Sequence, residues 1–348
     1  MMRSVKGKLE GGEVTYFTIN EKEGELEAQS VRVKVAAAST KQHNSEVIKF
    51  LGAGEEGFTF PACTDFSGQV AEVGSAVTSV AVGDVVTGII SLLSPFSACA
   101  DTCDVHQLDI VKVPSARSQT DAAACIGPAV RAYTAMMYQT RISPSTTVLI
   151  VSGASANGLI AIQLALSWRA KVIATVCGDD ERRFLEKNHP DIAQVIDLGS
   201  KNSSLVSIVM EETGSLGANA IIDDGVNMFA EEDHETQVPG RPSKHDVISC
   251  LAVNGKWITS QPNLQLDPPD SLKLHMRNAS VCFLFEQSWS LSTAQRGVYL
   301  HILTDIMDKL AAGIIRPHVS RTVQFSDAET VLSSLPKRQI GSTVMYMN

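Results

Sequence analysis

The spacing of apolar positions changes character twice along this chain. Over Ser30–Ala36 it alternates, with Val31, Val33 and Val35 against Arg32 and Lys34, the two-residue period of a half-buried strand. Gly68-Gln69-Val70-Ala71-Glu72-Val73-Gly74 and Val82-Gly83-Asp84-Val85-Val86-Thr87-Gly88 then set valine-rich runs between glycines. Short strands joined by turns that need positive φ predict a small β-barrel. From Pro144 onward, apolar strand-like pieces recur at Val148–Val151, Val172–Val176, Val195–Leu198, Ala220–Asp223, Lys256–Thr259 and Val281–Phe285. Helical spacing fills the intervals, the order of a doubly wound parallel sheet. After Phe285 the pattern returns to a helix, Tyr299–Ala312, and to short strands such as Thr322–Phe325. The expected organisation is α/β: a barrel domain from residues 1–125 and 286–348, with a parallel-sheet domain of residues 126–285 inserted into it.

One interruption, Asn227 to Lys244, carries Glu231-Glu232-Asp233-His234-Glu235 and two prolines, and reads as an exposed acidic loop rather than a metal cluster. At 348 residues, 44% hydrophobic and 19% charged, the chain can fill two ordinary globular cores. It lacks the run of about 18 apolar residues that spans a membrane, and its start lacks the apolar stretch of a signal peptide. Seven scattered cysteines are expected to be reduced thiols, which implies a cytoplasmic setting. A net charge of −9, with no basic grouping longer than pairs such as Arg182-Arg183, argues against direct nucleic-acid binding by this chain alone.

Chemistry concentrates in Val148-Leu149-Ile150-Val151-Ser152-Gly153-Ala154-Ser155-Ala156-Asn157-Gly158-Leu159. Strand, glycine turn and helix in that order hold a dinucleotide pyrophosphate against backbone amides at a helix N-terminus. The turn offers only Gly153 and Gly158 and has no G-x-G. Gly153, Ser155, Asn157 and Gly158 are the candidate cofactor contacts, with Asn157 able to take a left-handed conformation. The alternative is a strand–helix turn kept for packing. At the end of the next strand, Asp179 and Asp180 suit a ribose diol, whereas Arg182 and Arg183 suit a 2′-phosphate. The same acids also suit the start of a helix and the arginines its exposed face.

Three motifs together resemble the medium-chain dehydrogenase/reductase superfamily in its quinone oxidoreductase branch. They are Gly68-x-Val70-x-Glu72-Val73-Gly74 with Gly83-Asp84-x-Val86, Arg131-Ala132-Tyr133-Thr134-Ala135, and Gly153…Gly158-x-x-Ala161-x-Gln163-Leu164-Ala165. Two further runs, Glu211-Glu212-Thr213-Gly214 and Asn263-Leu264-Gln265-Leu266-Asp267-Pro268-Pro269-Asp270-Ser271, narrow it to the quinone oxidoreductase-like protein 1 family. The resemblance implies a GroES-like barrel with an inserted Rossmann domain, and NADP as cofactor, with a weakened hold because the turn is one residue shorter than the family's and lacks its central glycine pair. Zinc members of the superfamily bind a catalytic metal at positions that fall here on Lys41, the Thr64-Asp65 pair and Gly127. An ammonium, a hydroxyl and a hydrogen make no zinc site, and Cys99 and Cys103 are read as packing residues, so no metal is expected. Lys41 and Tyr133 are the cleft candidates. His43 and His106, in the barrel region, read either as proton donors or as surface residues.

The resemblance leaves two functions open. One is a zinc-independent, NADPH-dependent reductase of quinones or conjugated carbonyls. The other is a structural subunit, because the family is associated with FERRY, an early-endosomal small-GTPase effector assembly linked to mRNA transport. That second reading implies protein subunits of the assembly as partners, peripheral early-endosome association and no membrane insertion. The loop Asn227–Lys244 and the run Asn263–Ser271 are its candidate surfaces. A homodimer through about Lys256–Phe285 is a further expectation from the superfamily.

Overall fold

The structure, a computed structural model, describes residues 1–10, 13–53, 57–200, 204–228, 238–336 and 338–347. His234 and its acidic neighbours lie outside the described residues. The chain divides into Met1–Val130 with Glu286–Asn348, and Arg131–Phe285.

The first unit opens with β1 (Met2–Glu10), β2 (Glu13–Glu21), β3 (Ser30–Ser39), α1 (Ser45–Leu51), β4 (Thr59–Pro61), β5 (Asp65–Val73), β6 (Val85–Ile89), β7 (Thr102–His106) and β8 (Ile110–Lys112). Helix α2 (Gln119–Tyr133) then carries the chain across the division, which falls at Val130 and not at residue 125. The second unit alternates β9 (Thr147–Ile150), α3 (Ala156–Ser167), β10 (Lys171–Val176), α4 (Asp179–Asn188), β11 (Gln194–Asp197), α5 (Leu205–Glu212) and β12 (Ala218–Asp223). It continues through α6 (Lys244–Cys250), β13 (Leu251–Thr259), α7 (Pro268–Met276) and β14 (Ser280–Phe283). The return to the first unit adds α8 (Ser288–Leu291), α9 (Arg296–Ala311), β15 (Val319–Gln324), α10 (Ala328–Ser333) and β16 (Ser342–Tyr346).

In the first unit the larger sheet runs β15-β16-β3-β5-β6-β8, with β7 also on β3. Strand β16 pairs antiparallel with β3, Val344 opposite Ser39 and Tyr346 opposite Ala37, and this pairing makes the two ends of the chain one unit. Val31, Val33 and Val35 point inward as their spacing predicts, joining Phe66, Val70 and Ile110 in the core. Arg32, between Val31 and Val33, is only 8% exposed because it is covered by its cross-strand partners, its guanidinium holding Asp104 at 2.8 Å and Glu72 at 2.8 Å. The register shifts against β5 between Arg32 and Val33.

The second unit is a six-stranded parallel sheet in the order β11-β10-β9-β12-β13-β14. The order reverses between β9 and β12, and ligands of such sheets bind outside the carboxyl ends of the strands at that switch point. Leu149, Ile173, Ile221 and Trp257 are fully buried along it. The proline-rich run Asn263–Ser271 is in part the start of α7. Pro268 occupies the first helical turn, where its missing N–H costs nothing. The Asp267 N–H donates to Asp270 Oδ2 at 3.4 Å. The expected exposed loop Asn227–Lys244 is anchored at both ends. Asn227 Nδ2 donates to the carbonyls of Val238 and Arg241, and Lys244 is only 3% exposed. Among the described residues no helix is long and apolar enough to cross a membrane.

Candidate functional site

The candidate residues gather in two clusters, one in each unit. In the second unit, β9 ends in a turn whose left-handed residue is Ser152, with φ 58°. Asn157, expected to supply that conformation, instead lies in the first turn of α3. The turn is stitched inward. Ser152 N–H donates to Thr175 Oγ1 (3.0 Å), Gly153 N–H to the Thr175 carbonyl (2.7 Å), and Ser155 N–H to the Ser152 carbonyl (3.0 Å). Gly158 N–H donates to Ser155 Oγ (3.0 Å), so Ser155 acts as the N-cap of α3. Four amides that could face a pyrophosphate are therefore engaged within the protein.

Both glycines answer to packing. A Cβ on Gly158 would lie 2.4 Å from the Ser152 carbonyl oxygen, and one on Gly153 would lie 2.9 Å from Ala174 Cβ. They let α3 approach the sheet, the role the third glycine has in dinucleotide turns.

Above this turn the switch point is occupied by the chain's own side chains. Arg131, 8% exposed on α2, donates from Nη2 to Asp224 Oδ1 at 2.6 Å, to the Asp223 carbonyl at 3.1 Å and to Ser260 Oγ. Asn157 Nδ2 reaches the same Asp224 carboxylate at 3.2 and 3.3 Å. Beside it, Asp223 is 1% exposed and accepts from Trp257 Nε1, Thr259 Oγ1 (2.8 Å) and Gly225 N–H (2.7 Å). Burial pushes the Asp223 carboxyl above its ordinary range against those hydrogen bonds. Between these groups and Ile150, Ala161 and Ile222 remains a crevice of about 10 Å³, roughly the room one water requires.

Arg182, the candidate for a 2′-phosphate, lies on α4 and turns along its own helix, Nε 3.0 Å from Glu186 Oε1. Arg183 does the same toward Asp179 at 3.6 Å. Tyr133, a cleft candidate, is 9% exposed and packs on Trp168 and Tyr138, with ring centroids 5.9 and 6.3 Å away. It is a core aromatic of its unit.

The other cluster lies in the first unit and gathers the positions registered on the superfamily's metal ligands. Lys41 Nζ is 3.3 Å from Asp65 Oδ1 and 3.8 Å from Glu286 Oε1, and Thr64 Oγ1 donates to Asp65 Oδ1 at 2.7 Å. Asp65 is 2% exposed. Its Oδ2 lies so near Gly127 that a Cβ there would stand 1.8 Å from it. The carboxylate thus fills the space a third ligand's side chain would need. A cationic ammonium, a hydroxyl turned to a carboxylate and a glycine do not fit a zinc ion. His43, partly buried, packs edge-on to Phe60 and bonds the Ala62 carbonyl at 3.0 Å. Burial, then the Lys41 charge, lowers its pKa to about 4, so it stands neutral near pH 7. His106 bonds Gln29 and is partly exposed.

Two other groupings resolve as packing or ion pairs. His245, Asp267 and Asp270 lie close enough to hold a cation, yet Lys244 Nζ sits 2.8 Å from Asp267 and 3.4 Å from Asp270 and supplies that charge itself. Cys99 and Cys103 are buried, Cys99 Sγ lying 3.3 Å from Met345 Sδ.

Residues 27–134 match the model of the alcohol dehydrogenase GroES-like domain. Quinone oxidoreductase-like protein 1 of Mus musculus is 40% identical over 329 residues, 94% of each chain. The chain belongs to the quinone oxidoreductase-like protein 1 family. Quinone oxidoreductase-like protein 2 of the same organism is 30% identical over 287 residues, 81% of this chain and 75% of that one. Solved structures share the fold at lower identity. An alcohol dehydrogenase superfamily protein from Novosphingobium aromaticivorans superposes with a TM-score of 0.81 at 18% identity over all of both chains. Escherichia coli quinone oxidoreductase complexed with NADPH gives 0.77 at 19% identity, covering 99% of this chain and 100% of that one. The architecture is thus the GroES-like barrel with an inserted Rossmann sheet, an oxidoreductase-type fold.

The sequence reading missed Arg131 and Asp224 as members of the crevice. Arg131 stands in the sequence only as part of a family motif, and Asp224, one residue past the strand Ala220–Asp223, is not singled out. A dibasic or diacidic pair at a strand's carboxyl end is the signal that could have drawn attention to it.

Proposed function

We propose that this chain is a structural subunit built on a dehydrogenase fold, with protein partners in an early-endosomal small-GTPase effector assembly, the FERRY assembly, linked to mRNA transport. Membership of the quinone oxidoreductase-like protein 1 family supports that assignment, and the state of the switch point carries it. There Arg131 and Asn157 both bond the Asp224 carboxylate, and the turn's amides serve Thr175, Ser152 and Ser155. Metal-free hydride transfer depends on orienting a bound cofactor, and polar groups already engaged with one another are poorly placed to do so. Localisation is cytoplasmic and at the early-endosome surface through partners. In this reading the subunit is zinc-independent, which the ammonium of Lys41, the hydroxyl of Thr64 and the bare Gly127 support.

The test is calorimetric titration of the purified chain with NADPH, beside quinone-dependent NADPH oxidation against an active quinone oxidoreductase. No binding up to millimolar NADPH and no turnover above background are expected. Micromolar binding with turnover near the ~10 s⁻¹ of ordinary enzymes would establish the alternative, an NADPH-dependent quinone reductase. Elemental analysis should find no stoichiometric zinc.

A further inference from the structure

Asp224 stands at the carboxyl end of β12, across the switch point from the N-terminus of α3. Its carboxylate accepts from Arg131 and from Asn157 in the first turn of that helix. A helix N-terminus, an arginine and a side-chain amide are the groups that would receive a phosphate. The Asp224 carboxylate therefore presents a phosphate's sign of charge to groups that could otherwise receive one. Its side chain is 32% exposed, whereas that of Arg131 is 9% exposed. The acid is the outer member of the pair and the one an incoming anion meets.

We propose that Asp224 is an internal anion that determines whether this crevice accepts a pyrophosphate-bearing dinucleotide. It excludes the ligand by charge: it neutralises Arg131 and would repel the phosphates. Arg131 in this account is a latent phosphate ligand rather than a plug. The proposal rests on the reading that the native chain does not bind NADPH, and it specifies the cause.

Charge exclusion and steric plugging make opposite forecasts. Asp224→Asn keeps the shape and one acceptor oxygen while removing the charge, leaving Arg131 to an incoming anion. Arg131→Ala opens space but leaves Asp224 uncompensated at the helix N-terminus. Each variant, and Asp224→Ser as a second charge-removing change, is titrated with NADPH and with inorganic pyrophosphate. The readouts are calorimetry and ligand-induced shift in melting temperature, the latter also reporting folding. Asp224→Asn or Asp224→Ser should bind NADPH at least tenfold more tightly than the native chain, and pyrophosphate likewise, with the gain shrinking as salt rises. Arg131→Ala should show no gain. A gain in Arg131→Ala without one in the Asp224 variants would overturn the proposal in favour of a plug. No gain in any variant would overturn it as well. Tight NADPH binding by the native chain would instead defeat the structural-subunit reading, an outcome visible before any variant is compared.

Discussion

The Lys41–Asp65 pair of the first unit and the Arg131–Asp224 pair of the second each join a carboxylate to a cation, at 3.3 and 2.6 Å. The pairs differ in which partner is buried. Asp65 is 2% exposed and lies against Gly127, so its charge has little water to fall back on. In the second pair the carboxylate is the exposed member and the arginine the buried one. A buried carboxylate needs its cation continuously, whereas a partly exposed one can be hydrated when its cation is lost.

That contrast sets the largest expected effect. Lys41→Met should cost about 3 kcal/mol in urea unfolding at pH 7, since breaking a buried pair strands a charge. Arg131→Met, which leaves the one-third-exposed Asp224, should cost only about 1 kcal/mol. Equal costs would mean that burial is not what separates the two pairs.

Gly158→Ala is expected to cost about 2 kcal/mol, between those two. Its Cβ would meet the Ser152 carbonyl oxygen at 2.4 Å and the Gly153 backbone at 2.7 Å, neither able to yield. Gly153→Ala meets side-chain carbons at 2.9 to 3.2 Å and should cost about 1 kcal/mol or less. Reversal of that order would undo the view that Gly158 fixes the approach of α3 to the sheet.

Much of this was legible in the sequence, and the failures share a cause. Strand and helix positions followed from apolar period, because burial on a sheet face imposes it. Lys41, Thr64 and Gly127, grouped in the sequence by resemblance, meet around Asp65. What pattern could not show is where charged side chains go once folded. Arg32 reads as the polar member of an alternating strand, yet its cross-strand partners Asp104 and Glu72 cover it. Arg131 and Asp224 are 93 positions apart, and their pairing depends on α2 and β12 arriving at one strand end. Asn157 reads as a turn residue because asparagine tolerates left-handed backbone, but Ser155 caps α3 two residues earlier and leaves that conformation to Ser152. Partner choice among polar groups is a tertiary property.

Protonation offers a gentler probe of the first unit. Burial and Lys41 depress His43 to about 4 from an ordinary value of 6.5. Its contribution is therefore present above pH 6.5 and lost as pH falls toward 4. Asp109 runs the other way: burial raises it to about 6 against the opposing Arg296 charge. Its contribution is present below its ordinary value near 4 and lost as pH rises through 6. Urea unfolding between pH 4 and 6.5 should show His43→Gln flattening the acid-side loss and Asp109→Asn steepening it. Parallel profiles for both variants would show that neither group titrates within the fold as its surroundings require.

The smallest effect belongs to Arg182, the candidate 2′-phosphate ligand. Its guanidinium is about half exposed and pairs with Glu186 one turn along α4. Such i,i+4 pairs contribute about 0.3–0.5 kcal/mol, so Arg182→Ala should move urea stability by no more than that. Its bearing on the crevice is the sharper question. In an Asp224→Asn background, a phosphate-reading Arg182 would make NADPH bind better than NADH, and Arg182→Ala would abolish the difference. The intrahelical pairing leads us to expect that Arg182→Ala weakens NADPH and NADH equally or not at all. A selective loss of NADPH binding would show that the arginine leaves Glu186 for the ligand, and would return it to the site from which its position on α4 removes it.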